Sequence, residues 1–207
     1  MNPRIKICGL RDPEMACFAA RQGADAIGLV FHVPSPRAVD IETASRIVAA
    51  LPPFVSTVGL FVDADPAFVE QVLARVALDI LQFHGDESPG QCRRFGKPYL
   101  KAVRVKPGLD LLEYASRYAD ARGILVDAWV PGVPGGTGET FDWALLPQDL
   151  PLPLVLSGGL HAGNVAEAIR QIKPWAVDVS SGVESGKGIK DADKIAAFIK
   201  AARVAAD

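Results

Sequence analysis

The sequence predicts an α/β fold, a single-domain (β/α)8 barrel with eight parallel strands, and three observations carry that reading. Short β-branched runs alternate with longer stretches patterned at helical spacing, each pair taking roughly 25 residues. The candidate strands number eight. The first of them is followed by CGLRDP (8–13) and not by the GxGxxG turn that an open dinucleotide-binding sheet would place there, so closure is preferred over a doubly wound sheet. At 207 residues, with no linker-like stretch, residues 1–207 read as one domain.

RIKIC (4–8) opens the series and ends at Cys8, directly before Gly9. Asp12-Pro13 then starts the helical stretch PEMACFAARQ, because an Asp side chain accepts from the free N–H groups of a helix start and Pro suits its first turn. Gly23 is its stop. DAIGLVF (25–31) is the second strand, followed by the proline-stiffened loop HVPSPRAV (32–39) and a helix starting at Asp40. FVSTVGLFV (54–62) is the third, and Asp65-Pro66 opens the helix AFVEQVLARV. LDILQF (78–83), YLKAVRV (99–105) and GILVDA (123–128) follow. After the sixth strand comes the densest loop material of the chain, VPGVPGGTGE (130–139), where a barrel carries an active-site loop. LPLVLSG (152–158) and WAVDVSS (175–181) complete the ring, with helix starts at Asn164 and Asp191. Strands spaced by helices imply parallel pairing through right-handed crossovers.

Apolar residues make up 49% and charged residues 22%, the composition of a globular protein with no disordered tract. A net charge of -2, a pI near 5.9 and the lack of any basic run interleaved with aromatics give no reason to expect a nucleic-acid surface. The apolar part of MNPRIKICGL is too short for a signal peptide, and no apolar run approaches the roughly 20 residues that cross a bilayer. A cytoplasmic location without membrane contact is expected. Cys8, Cys17 and Cys92 are odd in number and form no CxxC pair, so each is read as a free thiol, with Cys17 and Cys92 buried inside helical patterns.

Barrels of this kind do their chemistry at the C-terminal ends of the strands. Cys8 ends the first strand, and Asp127 lies near the end of the sixth, after the apolar ILV. In a ring of eight these strands are three steps apart, so a general base and a general acid could face each other across the mouth. The competing readings are a packed thiol for Cys8 and a cap or ion-pair partner for Asp127. SGGLHAGN (157–164) and SSGVESGKG (180–188) follow the last two strands and together look like a phosphate cradle. Arg37 suits bidentate carboxylate recognition, with a solvated surface arginine as the alternative. Gln82 and His84 share one face of the fourth strand by alternation, as do Asp178 and Ser180 on the eighth. A metal at Asp178 is disfavoured, since no His-rich ligand set accompanies it.

Taken together, the ordered motifs KICGL, SPRAV, VGLFV, QFHGDE, LVDA with GGTGETFDW, SGGL with GNV, and VDVSSGVES with GKGIKD resemble the phosphoribosylanthranilate isomerase family of tryptophan biosynthesis. The resemblance covers nearly the whole chain. It implies a TIM-type barrel and an Amadori rearrangement that turns N-(5-phosphoribosyl)anthranilate into 1-(2-carboxyphenylamino)-1-deoxy-D-ribulose 5-phosphate, with no metal and no organic cofactor. By resemblance Asp127 is the general acid and Cys8 the general base, and Arg37 binds the anthranilate carboxylate. His84 and Asp178, from their strand faces, are read as substrate contacts, with a packed, hydrogen-bonded histidine as the alternative for His84. Gly158, Gly159, Ser180, Ser181 and Gly182 then fall in the phosphate site. The expected partner is a phosphosugar, and the expected assembly a monomer or homodimer.

These roles ask for a protonated acid and a thiolate base, hence burial around Asp127 and cations or N–H groups around Cys8. Lys6 would share the strand face of Cys8. Arg11 stands where the family more often has a small hydroxyl residue, and Ser157 where alanine is commoner. A ribulose-phosphate epimerase would want histidines and acids for a metal, with His32, His84 and His161 the available set. An indole-glycerol-phosphate synthase would want a lysine and glutamate set where this chain has Cys8, and a non-catalytic metabolite-binding barrel should have lost the acid–base pair.

Overall fold

The computed structural model describes residues 2–106, 108–128, 143, 146–147 and 149–205, and in it eight strands close into one ring. They are β1 (Arg4–Cys8), β2 (Ala26–Val30), β3 (Ser56–Phe61), β4 (Ile80–Phe83), β5 (Tyr99–Val105), β6 (Gly123–Ala128), β7 (Leu154–Leu156) and β8 (Ala176–Val179). Every neighbouring pair is parallel, and β8 returns to β1 with Lys6 opposite Asp178 in register. The predicted α/β barrel is the observed one. Three strands match their predicted bounds, and the others are shorter by one or two residues at one or both ends.

Seven helices are seen among the described residues: α1 (Pro13–Gln22), α2 (Ile41–Ala50), α3 (Pro66–Arg75), α4 (Pro89–Arg93), α5 (Leu111–Arg117), α6 (Val165–Ile172) and α7 (Ala192–Val204). The expected aspartate caps are in place. Asp12 accepts from Met15 N at 2.8 Å, Asp40 from Thr43 N at 2.6 Å, Asp65 from Ala67 N at 2.8 Å and Asp191 from Lys194 N at 3.0 Å. Ser88, with a capping box to Gln91, and Asp110 start α4 and α5, two further helices. None of the helices is long and apolar enough to cross a membrane.

Alternation along the strands sorts side chains into two layers. Ile5, Ile7, Ile27, Leu29, Phe61 and Phe83 point outward and pack beneath the helices in the main core. Inside the ring, Leu100, Ala102, Leu125, Val155 and Ala176 fill the N-terminal half, while Cys8, Val30 and Leu60 cluster toward the C-terminal end. The buried polar side chains Lys6, Gln82, Asp127 and Asp178 also belong to these strands.

The structure corrects two readings. Cys17 is half-buried instead of buried, with its Sγ donating to the Ala50 carbonyl at 3.0 Å; Cys92 is fully buried, and burial pushes its thiol up to about 12. All three thiols are free. SSGVESGKG is also more than a glycine loop: a 3-10 turn (Ser181–Val183) leads into an antiparallel hairpin of β9 (Glu184–Gly186) and β10 (Ile189–Lys190). The loop predicted at 130–139, and nearly all of the GGTGETFDW motif, lie outside the described residues.

Candidate active site

A pocket of about 780 Å³, counting its part open to solvent, sits at the C-terminal ends of the strands. Cys8, Arg37, His84, Asp127, Gly158, Gly159, Asp178, Ser180 and Ser181 all line it. Gly182 is outside that lining. It lies directly against the Leu160 carbonyl oxygen, where a side chain would not fit, and so joins the loop after β8 to the loop after β7.

On one side stands Cys8, 4% exposed, at the end of β1. Burial pushes its thiol above the ordinary 9.0, and Asp178 adds to that, while Lys6 and Lys190 oppose it. The expected cations are therefore present, but burial outweighs them. Lys6 Nζ donates to Asp178 Oδ1 at 2.9 Å, a fully buried pair that the β1–β8 register sets side by side. Burial works against the Lys6 charge, yet Asp178 and Cys8 hold its pKa up at about 12. Ser157 Oγ reaches Asp178 Oδ2 at 3.4 Å, and Ser180 Oγ donates to the Cys8 carbonyl at 3.0 Å.

Facing it from β6, Asp127 is 5% exposed and lies 3.2 Å from His84 Nε2 through its Oδ2. Gln82 Nε2 lies 3.0 Å from His84 Nδ1. The imidazole ring thus bridges the Gln82 amide and the Asp127 carboxyl. The shared face predicted for Gln82 and His84 thus becomes a hydrogen-bonded row from β4 to β6.

Two arms extend from this pair. After β7, Gly158 and Gly159 both take left-handed conformations, with φ of 85° and 63°. Asn164 starts α6 without capping it; its Oδ1 accepts from His161 N at 2.8 Å and its Nδ2 donates to the Gly159 carbonyl at 3.0 Å. On the other arm, Arg37 is no solvated arginine. Its side chain is 12% exposed and its stem packs over Gly9, which has a φ of 79° and no room for a Cβ beneath the Arg37 Cδ. Its guanidinium is gripped by Glu184 at 2.7 and 3.0 Å. Sequence reasoning missed Glu184 and Lys190, both buried on the hairpin; the one available signal was two charged residues flanking the glycines of ESGKGIK. Among the described residues, no group of three or more His, Cys, Asp or Glu could hold a metal ion.

Comparison with known proteins adds an independent result. The family model described as N-(5'phosphoribosyl)anthranilate (PRA) isomerase matches residues 5–201. A Pseudomonas putida protein named N-(5'-phosphoribosyl)anthranilate isomerase is 58% identical over 204 residues, spanning 99% of each chain. The crystal structure of phosphoribosyl anthranilate isomerase from Thermotoga maritima superimposes with a TM-score of 0.89 at 43% identity, covering 98% of this chain and 99% of that one. A solved isomerase in complex with reduced 1-(o-carboxyphenylamino)-1-deoxyribulose 5-phosphate gives 0.87 at 41%, with the same coverage.

Proposed function

The chain belongs to the phosphoribosylanthranilate isomerase family, an isomerase of tryptophan biosynthesis, and from that premise we propose how its own residues divide the reaction. The observation that carries the division is that Cys8 and Asp127 line one pocket from strands three steps apart in the ring.

Asp127 gives its proton to the furanose ring oxygen of N-(5-phosphoribosyl)anthranilate, the C1–O bond breaks, and the nitrogen lone pair forms a C1=N iminium. The Cys8 thiolate then takes the proton from C2, and the electrons of that C–H bond make the C1=C2 enolamine. Protonation at C1 and loss of the C2 hydroxyl proton give the aminoketose. General acid–base help of this kind contributes about 10²–10⁴-fold for each group. The electron-poor iminium stands beside a thiol whose neighbouring cations, Lys6 and Lys190, favour the anion.

His84 holds the Asp127 carboxyl, and Asp178 reaches the substrate hydroxyls from β8. The phosphate sits at Gly158, Gly159, Ser180, Ser181 and Gly182, where barrels of this type recurrently bind it. Arg37 takes the anthranilate carboxylate. A cytoplasmic location suits a phosphorylated substrate that does not cross membranes.

The test is anthranilate fluorescence after purified protein is added to freshly generated phosphoribosylanthranilate, with a chelator present. Rapid decay is expected. A rate no faster than that of the substrate alone would sink the reading.

A further inference from the structure

The β9–β10 hairpin carries two buried charged side chains: Glu184, which the reaction above does not use, and Lys190, which entered it only as a cation near Cys8. Glu184 occupies the side-on fork of Arg37: Nε donates to Oε1 at 2.7 Å and Nη2 to Oε2 at 3.0 Å. A guanidinium has a second, end-on fork made by Nη1 and the outer N–H of Nη2. Among the described residues Nη1 donates to no group, and Arg37 lines the pocket. The fork suited to a second carboxylate is thus available while the first fork fixes the plane.

Lys190 continues the connection. Its Nζ donates to Glu184 Oε1 at 2.8 Å, to the Ser180 carbonyl at 2.8 Å and to the Ser180 hydroxyl at 3.2 Å. Three protons meet three acceptors, so this ammonium fixes the loop after β8 and has none left for a ligand. An unbroken chain therefore joins Arg37, Glu184, Lys190 and Ser180. Two cations against one carboxylate leave it one positive charge in excess, which a bound carboxylate would balance. The hairpin has little freedom to shift. Gly188, at a φ of 76°, donates its N–H to Glu184 Oε2 at 3.2 Å, and a side chain there would strike the Pro36 carbonyl beside Arg37. Arg11 holds that same carbonyl at 3.1 Å.

We propose that Glu184 and Lys190 are positioning residues that fix the separation between the carboxylate arm and the phosphate arm. The hairpin thereby gives the site its preference for a phosphosugar bearing an aryl carboxylate. This rests on the roles given above to Arg37 and Ser180.

The probes are reduced 1-(o-carboxyphenylamino)-1-deoxyribulose 5-phosphate and its counterpart built on aniline, which lacks the carboxylate. Inhibition constants for both are measured on the wild type and on Arg37→Ala, Glu184→Gln, Glu184→Asp and Lys190→Met. The wild type prefers the carboxylate compound, and Arg37→Ala removes that preference. Glu184→Gln cuts it about tenfold, the scale of one charge-assisted hydrogen bond, and moves the aniline compound less than about twofold. In this variant KM for substrate rises by more than kcat falls. Lys190→Met lowers the preference and also weakens inhibition by inorganic phosphate. If Arg37→Ala keeps the preference, the carboxylate role of Arg37 fails and this proposal goes with it. If Arg37→Ala removes it while Glu184→Gln keeps it, or weakens both compounds equally, the positioning role alone is overturned. Should circular dichroism show Glu184→Gln unfolded, Glu184→Asp decides, and an unchanged preference there overturns it.

Discussion

The two sides of the pocket solve opposite problems with different chemistry. Around Cys8 the neighbours are ionic: Lys6 paired to Asp178 at 2.9 Å, with Lys190 paired to Glu184 at 2.8 Å beyond it. On the Asp127 side the described contact is to an imidazole, His84, which is itself bonded to the Gln82 amide. In the proposed reaction the thiol becomes an anion in a dry place, which needs cations close by, and here they only partly offset the cost of burial. In the proposed reaction the Asp127 carboxyl holds and releases a proton, which needs orientation, and the contact to His84 at 3.2 Å supplies it. The described contacts at the Cys8 end are ion pairs, and at the Asp127 end a hydrogen-bonded row.

The largest expected effects come from removing either end. Cys8→Ala and Asp127→Asn should each lower kcat by about 10²–10⁴-fold, with circular dichroism unchanged. Wild-type-like turnover in either purified variant would remove that residue from the chemistry. Next comes Arg37→Ala, which should raise KM about tenfold or more through loss of a charge-assisted bidentate contact; an unchanged KM would exclude it.

The contrast between the ends is sharpened by pH. Since the folded Cys8 thiol lies above 9.0, kcat/KM should climb with pH through neutrality. The unfolded chain gives up that proton first, so folding stability should decline as pH rises past about 9, a decline that thermal melts would show reduced in Cys8→Ala. Lys6→Met removes the nearest cation and leaves Asp178 unpaired, both of which raise the thiol, so the rate profile should move to the alkaline side. Asp178→Asn should move it the other way. Shifts of the same sign would contradict the charge-tuned account, whose facing groups are Lys6, Asp178 and Lys190. The smallest effect is expected from Gln82→Leu, about fivefold in kcat for one neutral hydrogen bond, with the pH profile in place. A displaced profile in that variant would show that charge also operates at the Asp127 end.

How far the sequence carried depended on how local each cause was. Asp12-Pro13 and Asp65-Pro66 announce helix starts within a few residues, and strand alternation is enough to put Gln82 and His84 on one face. Cys8 and Asp127 stand out because each sits at the end of an apolar run, in places this architecture reserves for chemistry. The pairing of Lys6 with Asp178 is different, since it is created by ring closure between residues 172 apart. The hairpin escaped for a similar reason. Strands of three and two residues have little propensity of their own, and this pair is fixed by Pro36, Arg37 and Arg11 from elsewhere in the chain. Cys17 reads as buried because its neighbours are apolar, yet α1 turns it partly toward the surface.

The seam where β8 meets β1 also bears on how the protein is made. Lys6–Asp178 and the Ser180–Cys8 bond both cross it, so the Cys8 thiol acquires its surroundings only when β8 reaches β1. Such non-local pairing pays its loop-closure cost before it returns any contact, and belongs to the slow part of assembly. Emerging from the ribosome, the chain would present Cys8 early and lack Asp178 until the end. Recovery of turnover during refolding would then report that final docking, lagging behind helix signals that form from local sequence alone.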